Sequence, residues 1–537
     1  MNRKTLALSA VIGLLAPVLA GCGGSDGGSD GGDAIVVGTT DQYIATPEGP
    51  APLDPAYAYD TGSWNVLRQT IQTLMHVPRG GGAPVPEAAS RCGFTDRENE
   101  SYRCTLREGL KFSSGDPVTV EDVKYSIQRV LDIKDPSGVS GLVSNIDTME
   151  TNGDSEIVFH LKSPDATFPY KLSTPPAGIV SRKSYDPKKL RDGFGVDGSG
   201  PYTFRAEVKN DTVVKAIFTK NPEYKGDLTL QNNKVELVPF KDADDMGTAL
   251  DSGDIDVMTR AMTPEQVQGM IDNPKENIQL TEMPGLEIRY LAFNTDAPVA
   301  KEKAVRQAMA YTIDRGQLVT KVYGAMAEPL YSPIPSSVAT HTNSFFNKYG
   351  DANPAKAAQV LEDAGITTPV KLTLDYTTDH YGEATVKEFE TLREQLNSSK
   401  LFDVSIKGEE WSVFRPNQTK REYAIYGMGW FPDFPDPDTY VGPFFDKDNF
   451  LNTPYNNPKL RNQLIPQSRR EADRSAASKT FAEIQDIVAE EVPVLPLWQG
   501  KQYVAARDDI ARVEWAVNSS AELQLWELRR GTSAPSS

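Results

Sequence analysis

Apolar residues recur every three to four positions in some segments and form short unbroken runs in others, a pattern that predicts helices alternating with strands. Strands are predicted at Ala34–Gly38, Lys371–Asp375 and Tyr423–Gly427. Helices are predicted over Ser63–Val77, from the capping box Thr119–Asp122 onward, over Glu302–Asp314, and between Asn353-Pro354 and Gly365. Strands and helices mixed over about 500 residues predict an α/β protein of several lobes.

The best-defined helix signal after residue 300 is the segment Glu302–Asp314. Its apolar residues Val305, Met309 and Ile313 share one face, which should point inward. Gly316 follows at the position where glycine commonly ends a helix. We therefore expect one helix that stops before Gly316.

The N-terminus has the pattern of an export signal. A basic start is followed by an apolar stretch, Leu6–Leu19, which is short for a bilayer span but suits a signal-peptide core. Leu19–Cys22 resembles the bacterial lipoprotein lipobox, whose cysteine is diacylated after cleavage; the alternative is an ordinary cleavage site with a chance cysteine. We predict a signal peptide at 1–21, lipidation at Cys22, and a flexible tether of Gly, Ser and Asp through residue 33.

Cys92 and Cys104 flank a polar turn in a predicted β-hairpin. Their positions are symmetric about Glu98, so hairpin pairing would place them opposite each other. In an oxidising compartment such a pair is expected to form a disulfide. The alternative is two buried thiols, and neither interpretation is catalytic.

Charge and composition exclude several classes of protein. The chain has 56 Lys and Arg against 74 Asp and Glu, a net charge of −18 that disfavours nucleic acid as a partner. Hydrophobic residues make up 39%, which fits a body with a large core and does not fit a polytopic membrane protein. The four histidines lie far apart in sequence, so we expect no metal site and no cofactor.

Enzyme motifs are present only out of context. Gly193–Gly198 matches a dinucleotide pattern, but Gly200–Phe204 follows as a turn into a strand where a helix is required. Gly23–Gly27 matches the nucleophile-elbow pattern inside the predicted tether, where no strand and helix can flank it. The acidic pair Glu409 and Glu410 is better explained as solvated surface charge. We therefore predict that the chain is not an enzyme.

A series of short blocks spreads along nearly the whole mature chain. In order, they are Leu53–Ala56, Leu106–Phe112, Gly115–Thr119, Glu121–Val123, Gly198–Tyr202, Asn221–Tyr224, Asp251–Asp256, Leu291–Thr295, Val305–Ala308 and Ile313–Arg315. Together they resemble the family 5 extracellular solute-binding proteins, which serve peptide-type ABC importers. Most of the blocks contain turn and capping residues, so we assign them to the scaffold.

The resemblance implies an α/β fold of the two-lobed periplasmic-binding-protein type (class II, cluster C), with ligand enclosed between lobes joined by crossing strands. A small extra domain at 85–197 would be inserted in the first lobe. The first lobe would then comprise 34–84, 198–287 and 501–537, and the second lobe 288–500.

The resemblance also implies a ligand contact in the segment Gly429–Asp438. In peptide-binding members, the first acid after a Gly-Trp pair binds the α-ammonium group of the ligand, and by position that acid is Asp433. A buried ammonium needs such a counter-charge. Trp430, Phe431 and Phe434 could form flat walls. The alternative is an acidic, proline-rich surface loop. We expect Asp436 and Asp438 to face water or to cap a helix start.

Further affinity should come from hydrogen bonds to the peptide backbone, as in an added strand. We expect these contacts near Tyr43 and near Phe293-Asn294.

The predicted function is that of a substrate-binding lipoprotein of an ABC importer. It would be a monomer anchored to the outer face of the cytoplasmic membrane, and it would deliver short peptides to a separate permease. An alternative keeps the fold and changes the cargo to an oligosaccharide, an opine, or a haem or nickel complex. A third hypothesis, an extracellular hydrolase with two carboxylates, has no acid pair that stands out.

Overall fold

Residues 34–531, apart from residues 48, 80, 137 and 448, are described by the structure, a computed structural model. The predicted signal peptide at 1–21, Cys22 and the tether at 22–33 therefore lie outside the described residues. No helix among the residues that are described combines the length and apolar character needed to cross a membrane.

The secondary-structure elements alternate along the chain as the hydrophobic pattern indicates. The strands are β1 Ile35–Thr39, β2 Met75–His76, β3 Val85–Pro86, β4 Ala89–Phe94, β5 Ser101–Leu106, β6 Ile146–Asn152, β7 Glu156–Leu161, β8 Tyr202–Lys209, β9 Thr212–Lys220, β10 Lys234–Pro239, β11 Val257–Met258, β12 Ile278–Phe293, β13 Ala327–Pro329, β14 Val370–Thr377, β15 Phe402–Glu409, β16 Ile425–Trp430, β17 Val494–Arg507, β18 Ile510–Ala511 and β19 Arg529–Arg530. The α-helices are α1 Thr61–Thr70, α2 Val120–Ile133, α3 Phe168–Lys171, α4 Ala243–Ser252, α5 Pro264–Asp272, α6 Pro298–Lys301, α7 Lys303–Thr312, α8 Arg315–Val322, α9 Ser344–Tyr349, α10 Pro354–Asp363, α11 Ala384–Ser398, α12 Trp411–Thr419, α13 Gly442–Phe445, α14 Ile465–Arg470 and α15 Ser478–Glu491.

Two long antiparallel strands, β12 and β17, connect the two halves of a mixed sheet. The sheet has eleven strands in the described part of the chain, in the order β15-β14-β16-β12-β17-β11-β1-β10-β9-β8, with β13 also paired to β17. On one side β12 pairs with β16, and on the other side β17 pairs with β11. The register between β12 and β17 shifts between Pro284 and Ile288. The α/β class with crossing strands is thus as predicted.

The hydrophobic core is divided in the same way as the sheet. One cluster of buried residues lies wholly within 286–498. A second draws mainly on the first strands and α1, on β8–β10 and on the chain after β17, and a third lies mostly within 74–179. The second cluster also contains Phe434, which comes from the range predicted for the other lobe. The residue bounds of the lobes and of the inserted domain stay a prediction.

A four-stranded antiparallel sheet, β4-β5-β7-β6, forms the third cluster together with α2. Helix α2 begins at Val120 with Thr119 as its N-cap, and the predicted capping box is formed with Asp122 at the third helical position. Cys92 lies opposite Cys104 in the register of β4 and β5, and the two sulfur atoms are bonded at 1.97 Å.

The helix predicted over Ser63–Val77 is too long, because α1 ends at Thr70 and the chain then becomes extended at Ile71. A tertiary contact explains why the helix ends at Thr70. Gly200 packs on this turn, where its N–H donates to the Thr70 carbonyl at 2.9 Å and any side chain at position 200 would collide with Thr70. A few residues later the chain forms β2, which pairs with β3.

The helix predicted over Glu302–Asp314 is present as α7, but a second helix, α8, follows it almost at once. Helix α7 ends at Thr312, and the Asp314 carboxylate caps α8 by accepting a hydrogen bond from the Gln317 N–H at 2.8 Å. Gly316 therefore lies inside α8 and does not end the preceding helix. The helix after Asn353 is α10, and the Asn353 side chain caps it as predicted.

Candidate ligand site between the lobes

The candidate site begins where β16 ends. This strand pairs antiparallel with β12, and Gly429 lies opposite Arg289. β16 ends at Trp430, and Pro432 lacks the N–H that a further ladder bond requires. Asp433 is therefore held in a loop directly beyond the end of the strand.

Two buried ion pairs fix the far side of this loop. Asp436 is 1% exposed and accepts hydrogen bonds from Arg474 Nε at 2.8 Å and Nη2 at 2.9 Å. Asp438 accepts from Arg469 Nε at 2.9 Å. Asp436 also caps the 3-10 turn Pro437–Tyr440 through the N–H of Asp438. The expectation that these acids cap a helix holds for Asp436, but neither faces water because each is neutralised by an arginine.

Asp433 is a partly buried carboxylate with one hydrogen-bond partner in the part of the chain that is described. Its Oδ2 atom accepts from the Tyr59 hydroxyl at 3.3 Å. Of the basic side chains that the structure describes, none forms an ion pair with it within 4.0 Å. Burial raises the pKa of Asp433 to about 7, although the Tyr59 hydrogen bond and the charges of Arg68 and Lys171 act in the opposite direction.

The two basic side chains whose charges lower the pKa of Asp433, Arg68 and Lys171, form ion pairs with other acids. Arg68 Nη2 forms an ion pair with Glu522 at 2.5 Å, and its Nη1 atom donates to the Ser173 carbonyl at 3.0 Å. Lys171 forms an ion pair with Asp165 at 2.6 Å. Among the described residues, the carboxylate of Asp433 is therefore left without a counter-ion.

Aromatic rings surround the Tyr59–Asp433 pair. The Tyr59 ring centroid lies 5.7 Å from Trp64 and 5.6 Å from Phe450, and Phe450 lies 5.5 Å from Trp430. Trp430 is 6% exposed, and its indole Nε1 has no hydrogen-bond partner among the residues described. Most of the surface of Trp430 is thus packed against protein, and its role as a wall for ligand stays a prediction.

The other two predicted wall residues have different surroundings. Phe431 lies beneath two arginines, with its ring centroid 5.6 Å from Arg260 Cζ and 5.8 Å from Arg289 Cζ. Phe434 is 3% exposed and stacks on Tyr170 at 5.6 Å with an interplanar angle of 24°. Phe434 therefore contacts the 85–197 segment through Tyr170, and little of its ring is left for a ligand.

The two predicted backbone-binding positions are separated. Tyr43 is 2% exposed, and its carbonyl already accepts from the Val213 N–H at 3.0 Å. Its hydroxyl has no partner in the described part of the chain, and burial together with the charge of Asp41 raises its pKa. At the far end of β12, the Asn294 amide donates to the Arg421 carbonyl at 3.0 Å and accepts from the Asp296 N–H. The structure does not place Asn294 beside Asp433 or beside the aromatic rings that surround the Tyr59–Asp433 pair.

Sequence reasoning missed the arginines of the site. Arg260 donates to Asp41 Oδ1 from Nη2 at 3.1 Å and from Nε at 3.3 Å. Arg289 forms an ion pair with Glu287, and its guanidinium lies over the ring of Tyr381 at 4.1 Å. Isolated arginines have no motif, so only Arg289 could have been anticipated, from the glycine before Trp430 that packs against it.

That glycine, Gly429, allows Arg289 to cross the strand. A Cβ at position 429 would collide with the guanidinium of Arg289. The position of the Arg289 side chain beside Phe431 thus depends on glycine at position 429. In the part of the chain that is described, no group of three or more His, Cys, Asp or Glu side chains is placed to hold a metal ion.

Comparison with known proteins places this geometry in a family. Residues 83–452 match the family model described as the middle region of bacterial extracellular solute-binding proteins, family 5. The oligopeptide-binding protein OppA of Bacillus subtilis (strain 168) is 25% identical over 525 residues, which cover 92% of this chain and 94% of the relative. The dipeptide-binding protein DppE of the same organism is 23% identical and covers 85% and 86%.

Solved structures agree in fold. The murein tripeptide binding protein MppA of Escherichia coli superposes with a TM-score of 0.77 at 21% identity, covering 93% of this chain and 99% of the other. A dipeptide binding protein from Pseudoalteromonas sp. SM9913, in complex with Met-Leu, has a TM-score of 0.77 at 19% identity and covers 93% and 100%. The chain belongs to the family 5 bacterial extracellular solute-binding proteins.

Proposed function

We propose that this protein binds short peptides between its lobes and that Asp433 holds the α-ammonium group of the peptide. The observation that carries the proposal is the partly buried carboxylate of Asp433, whose single hydrogen-bond partner among the described residues is Tyr59. The names of the relatives, which include oligopeptide-, dipeptide- and tripeptide-binding proteins, support this class of cargo.

The electrostatics of the free site favour a cationic ligand. Burial holds the pKa of Asp433 near 7, which means that the charged form is poorly solvated without ligand. An ammonium group at hydrogen-bonding distance would supply the missing counter-charge and fix the direction of the peptide. The ion pairs of Asp436 and Asp438 hold the loop in place, so little ordering is required when ligand binds.

The proposal extends to transport and to location. A ligand that contacts both lobes favours the closed arrangement, because closure depends on the difference in affinity between the two states. The closed protein would deliver its cargo to the permease of an ABC importer. We further propose that it works as a monomer without enzymatic activity, anchored by a lipid on Cys22 to the outer face of the cytoplasmic membrane. A Cys22→Ala variant should then be released from membranes into the medium.

Calorimetric titration with a panel of dipeptides and tripeptides tests the cargo. Peptides that bind the wild-type protein should bind at least about tenfold more weakly after N-acetylation, since a charge-assisted hydrogen bond is lost. Asp433→Asn should cause a similar loss for the free peptide and should remove the effect of acetylation.

A matched control is Asp403→Asn, which makes the same change on the exposed face of β15 and should leave affinity unchanged. Failure of all peptides to bind the folded wild-type protein would exclude the peptide assignment. Binding of a neutral oligosaccharide that is insensitive to Asp433→Asn would favour the alternative cargo.

A further inference from the structure

Four aromatic side chains form a ladder that begins in the buried cluster within 286–498 and ends at an exposed ring. In order, they are Tyr423, Phe414, Trp411 and His380, and the centroids of neighbouring rings lie 5.0, 6.0 and 3.8 Å apart. The rings are close to parallel, with interplanar angles of 19°, 24° and 5°. Phe414 is fully buried, Trp411 is half-buried and His380 is exposed, so the outermost rung of the ladder is the imidazole of His380.

The second face of the His380 ring is open. One face lies on Trp411, and Tyr381 approaches the imidazole at 4.6 Å with an interplanar angle of 74°, which is an edge contact. Among the residues that the structure describes, no other ring stacks on His380. The ladder therefore has a free position on its exposed side, where one more planar group would continue it.

Tyr381 connects His380 to the candidate ligand site. The Tyr381 hydroxyl donates to the Gly429 carbonyl at 3.3 Å, and Arg289 Cζ lies 4.1 Å from the centroid of the Tyr381 ring. The same guanidinium lies 5.8 Å from the ring of Phe431. His380 is thus separated from the segment that leads to Asp433 by a short series of side-chain contacts.

The charges around His380 come from both halves of the large sheet. His380 follows β14 and Arg260 follows β11, and these strands lie on opposite sides of the β12–β17 pair. Loss of hydration and the positive charges of Arg289 and Arg260 lower the pKa of His380 to about 4, although Asp379 acts in the opposite direction. An exposed ring that is nevertheless poorly hydrated lies in a recess, and at neutral pH this ring carries no charge.

A neutral ring with one free face favours an uncharged planar partner. Stacked aromatic pairs are stabilised beyond the area that they bury, which an aliphatic side chain cannot match. The charges of Arg289 and Arg260 would repel a lysine or arginine side chain of a ligand. The neutral imidazole, in turn, offers no charge to a carboxylate, so an aromatic ring is the best-suited group.

We propose that the open face of His380 stacks on an aromatic side chain of the bound peptide, so that the protein prefers peptides with Phe, Tyr or Trp at one position after the first. His380 would be the residue that determines this preference, and Trp411 would hold its ring from behind. Four extended residues, at roughly 3.5 Å each, together with an aromatic side chain are long enough to span the contacts between Asp433 and His380. The inference rests on the proposed function, because it assumes a peptide whose ammonium group is bound at Asp433.

Calorimetry with alanine tetrapeptides tests the proposal on the full chain. Each probe carries one guest residue, which is Phe, cyclohexylalanine or Ala, at position two, three or four. Cyclohexylalanine has nearly the size of Phe but lacks the π-system. At one of the three positions, the wild-type protein should bind the Phe peptide about 3- to 10-fold more tightly than the cyclohexylalanine peptide, because only Phe can stack.

Variants of His380 assign this preference to the ring. His380→Ala should bind the Phe and cyclohexylalanine peptides equally, whereas His380→Phe should keep the preference because the ring is retained. Val413→Ala shortens a side chain that is 47% exposed on the helix that carries Trp411, and it should behave as the wild-type protein does. A structural defect in a variant would weaken all probes alike, so the ratio of affinities is the informative quantity.

Three results would overturn the assignment to His380: no position at which the wild-type protein prefers Phe to cyclohexylalanine, an unchanged ratio in His380→Ala, or failure of the tetrapeptides to bind when shorter peptides do. None of these removes binding of the ammonium group at Asp433, which N-acetylation of the peptides that bind tests separately. Failure of every peptide, including the dipeptides and tripeptides, is a different outcome, because it removes the proposed function and this inference with it.

Discussion

Asp433 should lower the stability of the protein when no ligand is bound. Its pKa is raised from 3.8 to about 7 in the folded chain, whereas in the unfolded chain it returns to its ordinary value. Between these two values the folded protein holds a proton that the unfolded protein has lost. The free energy of unfolding therefore falls as the pH rises through this window, and the full cost is present above about pH 7.

The magnitude follows from the shift. A difference of about three pKa units corresponds to roughly 4 kcal/mol at pH 8, and to less than half of that at pH 5. Asn has nearly the same shape and no charge, so Asp433→Asn should stabilise the ligand-free protein by an amount that approaches this figure at pH 8 and shrinks toward pH 5.

Urea unfolding of ligand-free protein, followed by circular dichroism at both pH values, measures this difference. Asp403→Asn is the control and should change the unfolding midpoint little at either pH. A loss of stability in Asp433→Asn at pH 8, or a gain of the same size at pH 5 and pH 8, would refute the view that Asp433 is a poorly solvated carboxylate in the free site.

Three further predictions concern the same loop and its supports. Peptide affinity should fall about tenfold for each pH unit below 7, because binding then has to remove a proton from Asp433, and titrations between pH 5.5 and 8 measure this slope. Gly429→Ala should cost about 1–3 kcal/mol in the unfolding free energy, because the added methyl group collides with Arg289. Arg474→Gln should cost about 3–5 kcal/mol and weaken peptide binding, because it leaves Asp436 buried without its partner.

Each of these has a matched control and an outcome that contradicts it. For the pH slope the control is Asp433→Asn, whose affinity should not change with pH; a flat profile in the wild-type protein contradicts the prediction. Gly93→Ala places a methyl group in open space and should be neutral. Arg470→Gln removes an exposed charge near Arg474 and should also be neutral. Variants at 429 or 474 as stable as these controls would show that the collision or the ion pair is unimportant.

Local sequence signals predict the fold well where one residue determines the backbone. Thr119 and Asn353 begin helices as their capping side chains indicate. The helix predicted over Glu302–Asp314 is confirmed as α7 to within two residues at its end, but Gly316 does not end it, because Asp314 caps a second helix. A cap that follows so closely on an apolar pattern is easily overlooked. The end of α1 at Thr70 depends on contact with a glycine 130 positions later in the sequence, which no local pattern contains.

The candidate site is predictable to a smaller extent. The Gly-Trp pair followed by an acid identifies Asp433 from the family resemblance, but its hydrogen-bond partner Tyr59 is 374 residues away in sequence. That no counter-ion lies beside Asp433 among the described residues becomes visible only when the basic side chains around it have been located in space. Unpaired charges of this kind are a property of the tertiary structure.

The ion pairs of Asp436 and Asp438 have a consequence for how ligand specificity could change in such a protein. They anchor the Asp433 loop from behind, through Arg474 and Arg469, and neither arginine is needed on the side where cargo would lie. Mutations among the surrounding rings could therefore alter the volume and polarity offered to side chains while the carboxylate stays at the same place. If Asp433 keeps its position while the aromatic residues around it are substituted, the same fold could bind new ligands after few substitutions.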